Sequence, residues 1–257
     1  MTEEINIPEK KAVERTVKSL FRLLFPLTNP FSGIVIESST GSKNQMINIL
    51  SGLARNSEET ADEFLKALPA IKEKLLLDAA FILESDPAAN RLIEVVAIYP
   101  GFFAIFCHRI ANFLAKQSVQ LLPRMITEYA HKVTGIDIHP MATIGSPFSI
   151  DHGTGIVIGE TAVIGNNVKL YQGVTLGAMS VDKSKASKKR HPTIEDNVIL
   201  YAGCTILGGQ TVVGRNSIIG GNVWLTESIA PFSVVYHRGE IIVRNQNGYE
   251  EPPNFII

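Results

Sequence analysis

Two hydrophobic periods divide this chain. As far as about residue 134, apolar residues recur at helical spacing, and beyond it an aliphatic residue recurs every six positions. In the first part Val13, Val17, Leu20, Phe21 and Leu24 predict a helix over 8–24, closed by Pro26 and Pro30. Residues 31–43 read as a loop. Helical patterns return over 46–53 and 61–68, the second behind the acidic start Ser57-Glu58-Glu59, and 71–83 is a strong helix former. Ser85-Asp86-Pro87 sets a capping residue before a proline, which predicts a helix from 87 to about 98, broken at Tyr99-Pro100-Gly101. Helices over 102–116 and 122–132 complete this half, and Gly135 ends it.

The six-residue period then runs to Ile229. Its aliphatics are Ile138, Ile144, Ile150 and Ile156; Ile158, Ile164, Leu170 and Leu176; Ile194, Leu200 and Ile206; Leu207, Val213, Ile219 and Leu225. Four positions after most of them stands a small or β-branched residue: Ala142, Thr154, Ala162, Val168, Val174, Val198, Cys204, Thr211, Ser217, Val223 and Ile229. A short fixed period marks a solenoid, whose units bury their apolar faces only by stacking. Hexapeptides of this kind resemble the left-handed parallel β-helix, with three repeats per triangular coil. Frame shifts of two after Ile156 and of one at Ile206 to Leu207 predict enlarged corners, and residues 178–193 read as a loop thrown out of the coil. After Pro231 the repeat is lost. The organisation expected is a helical domain over 1–134, a β-helix over 135–235, and a C-terminal extension with a flexible tail over 236–257, the first two packed together because no long linker separates them.

Composition narrows the function. A 257-residue chain with 45% hydrophobic and 19% charged residues is ordinary for a globular protein, and a formal net charge of -1 offers no field for nucleic acid or an acidic membrane. Cys107 and Cys204 lie in a helical pattern and a repeat slot, so no disulfide framework is expected. No stretch approaches a membrane span and the N-terminus has no apolar signal region, which leads to the expectation of a soluble, cytoplasmic protein.

A β-helix needs no histidine, yet His139, His152 and His191 interrupt the repeat. Asp137 precedes His152 by somewhat less than a coil, so the two side chains can come within reach, and an Asp-His pair is the usual way to build a general base near neutral pH. The structural alternative is that these groups cap corners. Asp86 reads equally as a helix cap. His108 and His131 lie on predicted helices, and Lys183, Lys185, Lys188 and Lys189 form a basic loop whose cations could reach phosphates or only solvent.

With these residues in view, the chain from Asp86 to about Val235 resembles the serine acetyltransferases. The words that carry the resemblance are Asp86-Pro87-Ala88, Tyr99-Pro100-Gly101-Phe102, Ile136-Asp137-Ile138-His139-Pro140, Asp151-His152-Gly153-Thr154-Gly155-Ile156-Val157-Ile158-Gly159-Glu160-Thr161, Val174-Thr175-Leu176-Gly177 and Arg190-His191-Pro192. The resemblance implies His152 as base and Asp137 as its partner, with L-serine held by Asp86, Asp151, Arg190 and His191. It places acetyl-CoA, a co-substrate rather than a resident cofactor, along a groove between neighbouring β-helices beside Gly177, Ala202 and Gly220. It further implies a homotrimer, extended in the family to a hexamer of two trimers, and feedback inhibition by cysteine. O-acetylserine sulfhydrylase is implied as a partner that takes up the terminal Ile257. Two departures stand out: Ala178 replaces a second glycine, and Val235-Tyr236-His237-Arg238-Gly239 replaces the usual Gly-x-Pro-Ala-basic word after the last coil.

No metal is called for. A zinc enzyme of the carbonic anhydrase type on the same scaffold needs two histidines five apart on one coil, a pair this chain lacks. Acetyltransferases acting on sugars or other small hydroxyl acceptors share the scaffold but generally lack the helical half that carries Asp86. A non-catalytic scaffold would leave Asp137, His152, Arg190 and His191 unexplained.

Overall fold

The computed structural model describes residues 7–26, 40–51, 53–179 and 188–239. Its helical half contains α1 (Lys10–Leu24), α2 (Thr40–Leu50), α3 (Ser57–Ser85), α4 (Leu92–Ile98), α5 (Pro100–Lys116) and α6 (Leu122–Thr134). The stripe read from the sequence is the buried face of α1, where Val13, Val17, Leu20 and Leu24 pack inward. Phe21 meets Phe25, Phe102, Phe103 and Phe106, tying α1 to α5 through tilted and edge-on rings. Residues 40–43, expected in a loop, begin α2, while 31–39 lie outside the described residues.

Three helix boundaries differ from the sequence reading. The helices expected at 61–68 and 71–83 are one, α3, which runs through Pro69. Proline removes a backbone donor, but Pro69 stands on the exposed side, where water can take the lost bond while the apolar face continues from Leu68 to Ile71. Asp86 starts no helix at Pro87. It is the C-cap of α3, and α4 begins only at Leu92. Its carboxylate is satisfied instead by the Ala88 N–H at 2.8 Å and the Tyr99 hydroxyl at 2.6 Å, a local turn plus a distant donor. Finally, α5 starts at Pro100 rather than Phe102, since proline suits the first helical turn.

Gly135, in the left-handed conformation at φ 71°, closes α6, and the solenoid starts at once. Its first sheet stacks β1 (Asp137–Ile138), β4 (Val157–Ile158), β7 (Thr175–Gly177), β10 (Thr205–Leu207) and β13 (Trp224–Leu225). The second stacks β2 (Thr143–Ile144), β5 (Val163–Ile164), β8 (Thr193–Ile194) and β11 (Val212–Val213). The third stacks β3 (Phe148–Ile150), β6 (Val168–Leu170), β9 (Ile199–Leu200), β12 (Ile218–Ile219) and β14 (Val234–Val235), so the coil persists one strand beyond Pro231. All pairings are parallel, and each strand meets its counterpart one coil on, which makes a parallel β-helix of about five turns.

The inward column Ile138, Ile158, Leu176, Ile206 and Leu225 shows where the six-residue frame slips. Ile156 belongs to no strand and fills the buried corner slot that the sequence assigned to Thr154, which is exposed. Two extra residues therefore lie in the 151–156 corner. At the other slip Ile206 points inward and Leu207 is only half-buried, so it opens no inward run; the extra residue is absorbed at Gly208, whose φ is 104°. Between the second and third sheets Asn167, Asn197 and Asn216 adopt positive φ on successive coils, a conformation asparagine tolerates.

The two halves are joined by a buried ion pair. Arg109 of α5 donates to Asp78 of α3 at 2.5 and 2.7 Å and to the Gly145 carbonyl at 2.9 Å, while Asp78 also accepts from the Phe148 N–H at 2.9 Å and the Ser146 hydroxyl at 3.0 Å. Burial raises the Asp78 carboxyl above its ordinary range, opposed by the Arg109 guanidinium and these donors. This clamp fixes the end of α3, and with it Asp86, against the first coil.

Candidate active site

The corner leading from the third sheet to the first carries Asp151 and His152. His152 has φ 57°, a left-handed conformation uncommon outside glycine, and its ring is largely exposed. Gly153 follows at φ 91°, where an added Cβ would strike the Ile136 and Ile150 side chains, so only glycine lets the enlarged corner close over the first coil. His152 Nε2 lies 3.9 Å from Asp151 Oδ1.

Asp86 faces this corner from the end of α3. Hydrogen bonds from the Tyr99 hydroxyl and the Ala88 N–H hold its carboxyl below the ordinary range, and the charges of Lys169 and His152 act in the same direction. The Asp86 bond pushes the Tyr99 phenol up to about 12. Behind Asp151 sits Lys169, on β6 yet buried because α3 covers the outer side of the third sheet. Its ammonium donates to the Ser85 carbonyl at 2.7 Å, lies 3.7 Å from Asp151 Oδ2, and stands over the Tyr171 ring at 4.7 Å. Two carboxylates, an imidazole and a phenol thus converge on one corner, a setting for binding an ammonium group beside a proton acceptor.

Asp137 stands on the outer side of β1, one coil before this corner; the Gly155 N–H bonds the Gly135 carbonyl at 2.8 Å, so the corner lies directly above the turn that leads into β1. Asp137 and His152 share neither a hydrogen bond nor an ion pair: the carboxylate nearest His152 is that of Asp151. The Asp137 carboxylate is 4.0 Å from Arg124, which also pairs with Glu128 at 2.5 Å. Asp137, Glu128 and His131 form the one group of potential metal ligands among the described residues, and Arg124 already supplies its cation. His139, His152 and His191 do not share in it.

Arg190 and His191 lie at a different corner, from the first sheet to the second. The Thr161 N–H donates to His191 Nδ1 at 3.1 Å and the Thr161 hydroxyl lies 2.9 Å from the same nitrogen. Burial, with Arg190 beside it, brings the His191 imidazole down to about 4, so at neutral pH it is uncharged with its proton on Nε2, a donor suited to a carboxylate. A Cβ at Gly159 would collide with this ring, which explains the glycine there. Arg190 pairs with Glu160. His139 shares the corner and accepts the Met141 N–H at 3.2 Å.

One chain therefore divides the expected residues in two. Asp86, Asp151, His152, Ala202 and Gly220 line the His152 corner, whereas Arg190, His191 and Gly177 line the His191 corner, a full strand of the first sheet away. Lys189 is held by the Thr161 and His191 carbonyls at 3.1 and 2.7 Å, and residues 180–187, with Lys183 and Lys185, lie outside the described residues. The sequence reading gave no role to Tyr99, Glu160, Thr161 or Lys169. The first three stand inside words already singled out; Lys169 stands at an outward strand position that reads as solvated, and nothing local reveals the helix that covers it.

Comparisons with known proteins find serine acetyltransferases. The chain is 48% identical over 188 residues to the plasmid serine acetyltransferase of Synechococcus elongatus, covering 71% of this chain and 59% of that protein. It is 45% identical over 169 residues to the serine acetyltransferase of Bacillus subtilis, covering 65% of this chain and 76% of that one. Among solved structures, Entamoeba histolytica serine acetyltransferase 1 in complex with L-cysteine superposes with a TM-score of 0.77 at 34% identity, over 88% of this chain and 86% of that one. The Neisseria gonorrhoeae serine acetyltransferase in complex with serine gives 0.63 at 27% identity, over 92% and 98% of the two chains. A serine acetyltransferase complex with CoA gives 0.62 at 27%, over 88% and 96%. No family model matches the chain.

Proposed function

The chain belongs to the serine acetyltransferase family, and on that premise we propose that it transfers the acetyl group of acetyl-CoA to the hydroxyl of L-serine, giving O-acetylserine and CoA, the first step of cysteine biosynthesis. The observation that carries this reading is the His152 corner, where Asp86 and Asp151 flank an exposed imidazole held in a left-handed conformation. The carboxylates bind the serine ammonium, and neutral His191 with Arg190 binds its carboxylate. His152 takes the hydroxyl proton as the oxygen attacks the thioester carbon. The tetrahedral intermediate then collapses, the C–S bond breaks, and the imidazolium returns its proton to the departing CoA sulfur. Asp137 serves as the partner of His152, and backbone N–H groups near Gly177 and Ala178 serve as donors to the oxyanion. No metal enters this scheme.

Because the two halves of the serine pocket lie at different corners of one chain, a complete site in this reading takes its His152 corner from one chain and its His191 corner from the next, as a threefold assembly provides. The same geometry places the acetyl-CoA groove between chains, with Gly177 on one wall and Ala202 and Gly220 on the other. Cysteine, which is serine with a thiol in place of the hydroxyl, occupies the same pocket. The terminal Ile257, outside the described residues, is the proposed contact with O-acetylserine sulfhydrylase; deleting it removes binding in calorimetry and leaves acetyl transfer intact, and unchanged binding refutes that contact. The reaction itself is tested by acetyl-CoA consumption against a panel of amino acids and sugars. A preference for a sugar hydroxyl refutes the serine assignment.

Among the described residues no single helix is long and apolar enough to cross a membrane; α4 and α5 together have the length and composition but are bent by 71° at their junction, and α5 is largely buried in the helical core.

A further inference from the structure

Trp224, the only tryptophan in the chain, is 68% exposed on β13, an unusual position for the largest side chain of a short coil. Its place in the lattice of strands is informative. The outward column of the first sheet runs Asp137, Val157, Thr175, Thr205 and Trp224, each residue paired with the next in parallel register. Asp137, the proposed partner of the base, stands at one end of this column and Trp224 at the other.

Four steps of ~4.8 Å separate them, or roughly 19 Å along the solenoid axis. The acyl donor of the proposed reaction has its own fixed length. With its thioester at the Asp137 and His152 end, the pantetheine arm, equivalent to about four or five residues of extended chain, spans roughly 15 Å before the pyrophosphate and nucleotide begin. The residues between, Val157, Thr175 and Thr205, are of modest size. A thin arm can lie along that face, and the first large aromatic surface it reaches is the indole. The other aromatic pair near the site, Tyr171 and Tyr201, is stacked on itself at 4.9 Å and follows Asp151 within two coils, roughly 10 Å, which is too close to the reacting carbon to receive the nucleotide.

We propose that Trp224 is the platform on which the adenine ring of acetyl-CoA stacks, so that Asp137 and Trp224 mark the two ends of the acyl-donor groove. The proposal rests on the donor site proposed above and adds the residue that recognises the nucleotide end. Base-on-indole stacking is tolerant in geometry and strong for one contact, so Trp224→Ala raises the KM for acetyl-CoA by about ten- to a hundredfold.

The experiment uses the full-length protein and the fluorescence of its one tryptophan. CoA and adenosine 3′,5′-bisphosphate are expected to quench Trp224 saturably, and pantetheine, which lacks the nucleotide, is not. In steady-state kinetics Trp224→Ala is expected to raise the KM for acetyl-CoA while leaving that for acetylpantetheine as in the parent, and Trp224→Phe to recover part of the loss. Absence of quenching by CoA overturns the proposal. So does an unchanged acetyl-CoA KM, an equal rise for both donors, which marks a packing role, or a loss that appears in Tyr236→Ala instead, which puts the platform on the segment that follows β14. If the parent transfers no acetyl to serine, the reaction assignment fails by itself, and the quenching titration still decides where the nucleotide lies.

Discussion

Mixing two inactive variants tests the division of the site between corners. His152→Ala removes the base and His191→Ala removes a carboxylate ligand, each lowering kcat/KM for serine. His152 follows β3 while His191 is pinned to Thr161 beside β5, so one chain cannot bring the two together without dismantling its corners. If each site draws on two chains of a trimer, a trimer holding both variants has three interfaces, and only one of them joins an intact His152 to an intact His191. Co-expression with two different tags and tandem purification yields only such mixed trimers. Their kcat/KM should then be about one third of the parent value per trimer. A general base contributes about 10² to 10⁴, so interfaces that lack His152 supply a background far below that third, and the His191→Ala trimer measured alone gives the background of the rest. Activity no higher than the better of the two variants refutes the shared site and removes Arg190 and His191 from the pocket built around His152.

Other outcomes follow from individual residues. His152→Ala should lower kcat by about 10² to 10⁴ in an acetyl-CoA consumption assay with little change in acetyl-CoA binding, and Asp137→Asn should cost less, because it removes orientation and charge rather than the base. Near-parental turnover by His152→Ala removes that residue from the chemistry. Cysteine should inhibit competitively against serine; purely non-competitive inhibition points to a separate site. His108, fully buried on α5 with its Nδ1 unpartnered, has its pKa lowered to about 3 by burial, with Arg109, Lys116 and His139 acting in the same direction. Its contribution to stability is therefore complete above the unfolded value near 6.5 and is lost as pH falls, by about 2 kcal/mol at pH 5. Urea midpoints at pH 7.5 and 5 should diverge more for the parent than for His108→Leu, and equal divergence refutes the assignment.

The sequence by itself determined the solenoid and its chemistry-bearing residues, because each is a local matter. An aliphatic every six residues can be buried only by stacking coils, and Ile158 stacks on Leu176, eighteen residues on, as that spacing requires. The slips at 156 and 206 were legible as enlarged corners. What they did to side chains was not, since whether Ile156 or Thr154 fills the corner depends on the coil beneath. Helix existence was likewise local, whereas α3 continues through Pro69 because a buried face on both sides outweighs one lost hydrogen bond. Asp86 illustrates the limit best. By type and position it is a helix cap, and only the arrival of Tyr99 from thirteen residues on turns its carboxylate into part of a pocket. Lys169 became a partner of Asp151 for the same kind of reason, because α3 lies over its strand. The division of Arg190 and His191 from His152 was set by which corner each coil reaches. A period of six specifies that three faces exist, and the number of residues in each corner, counted around the whole prism, decides which residues meet.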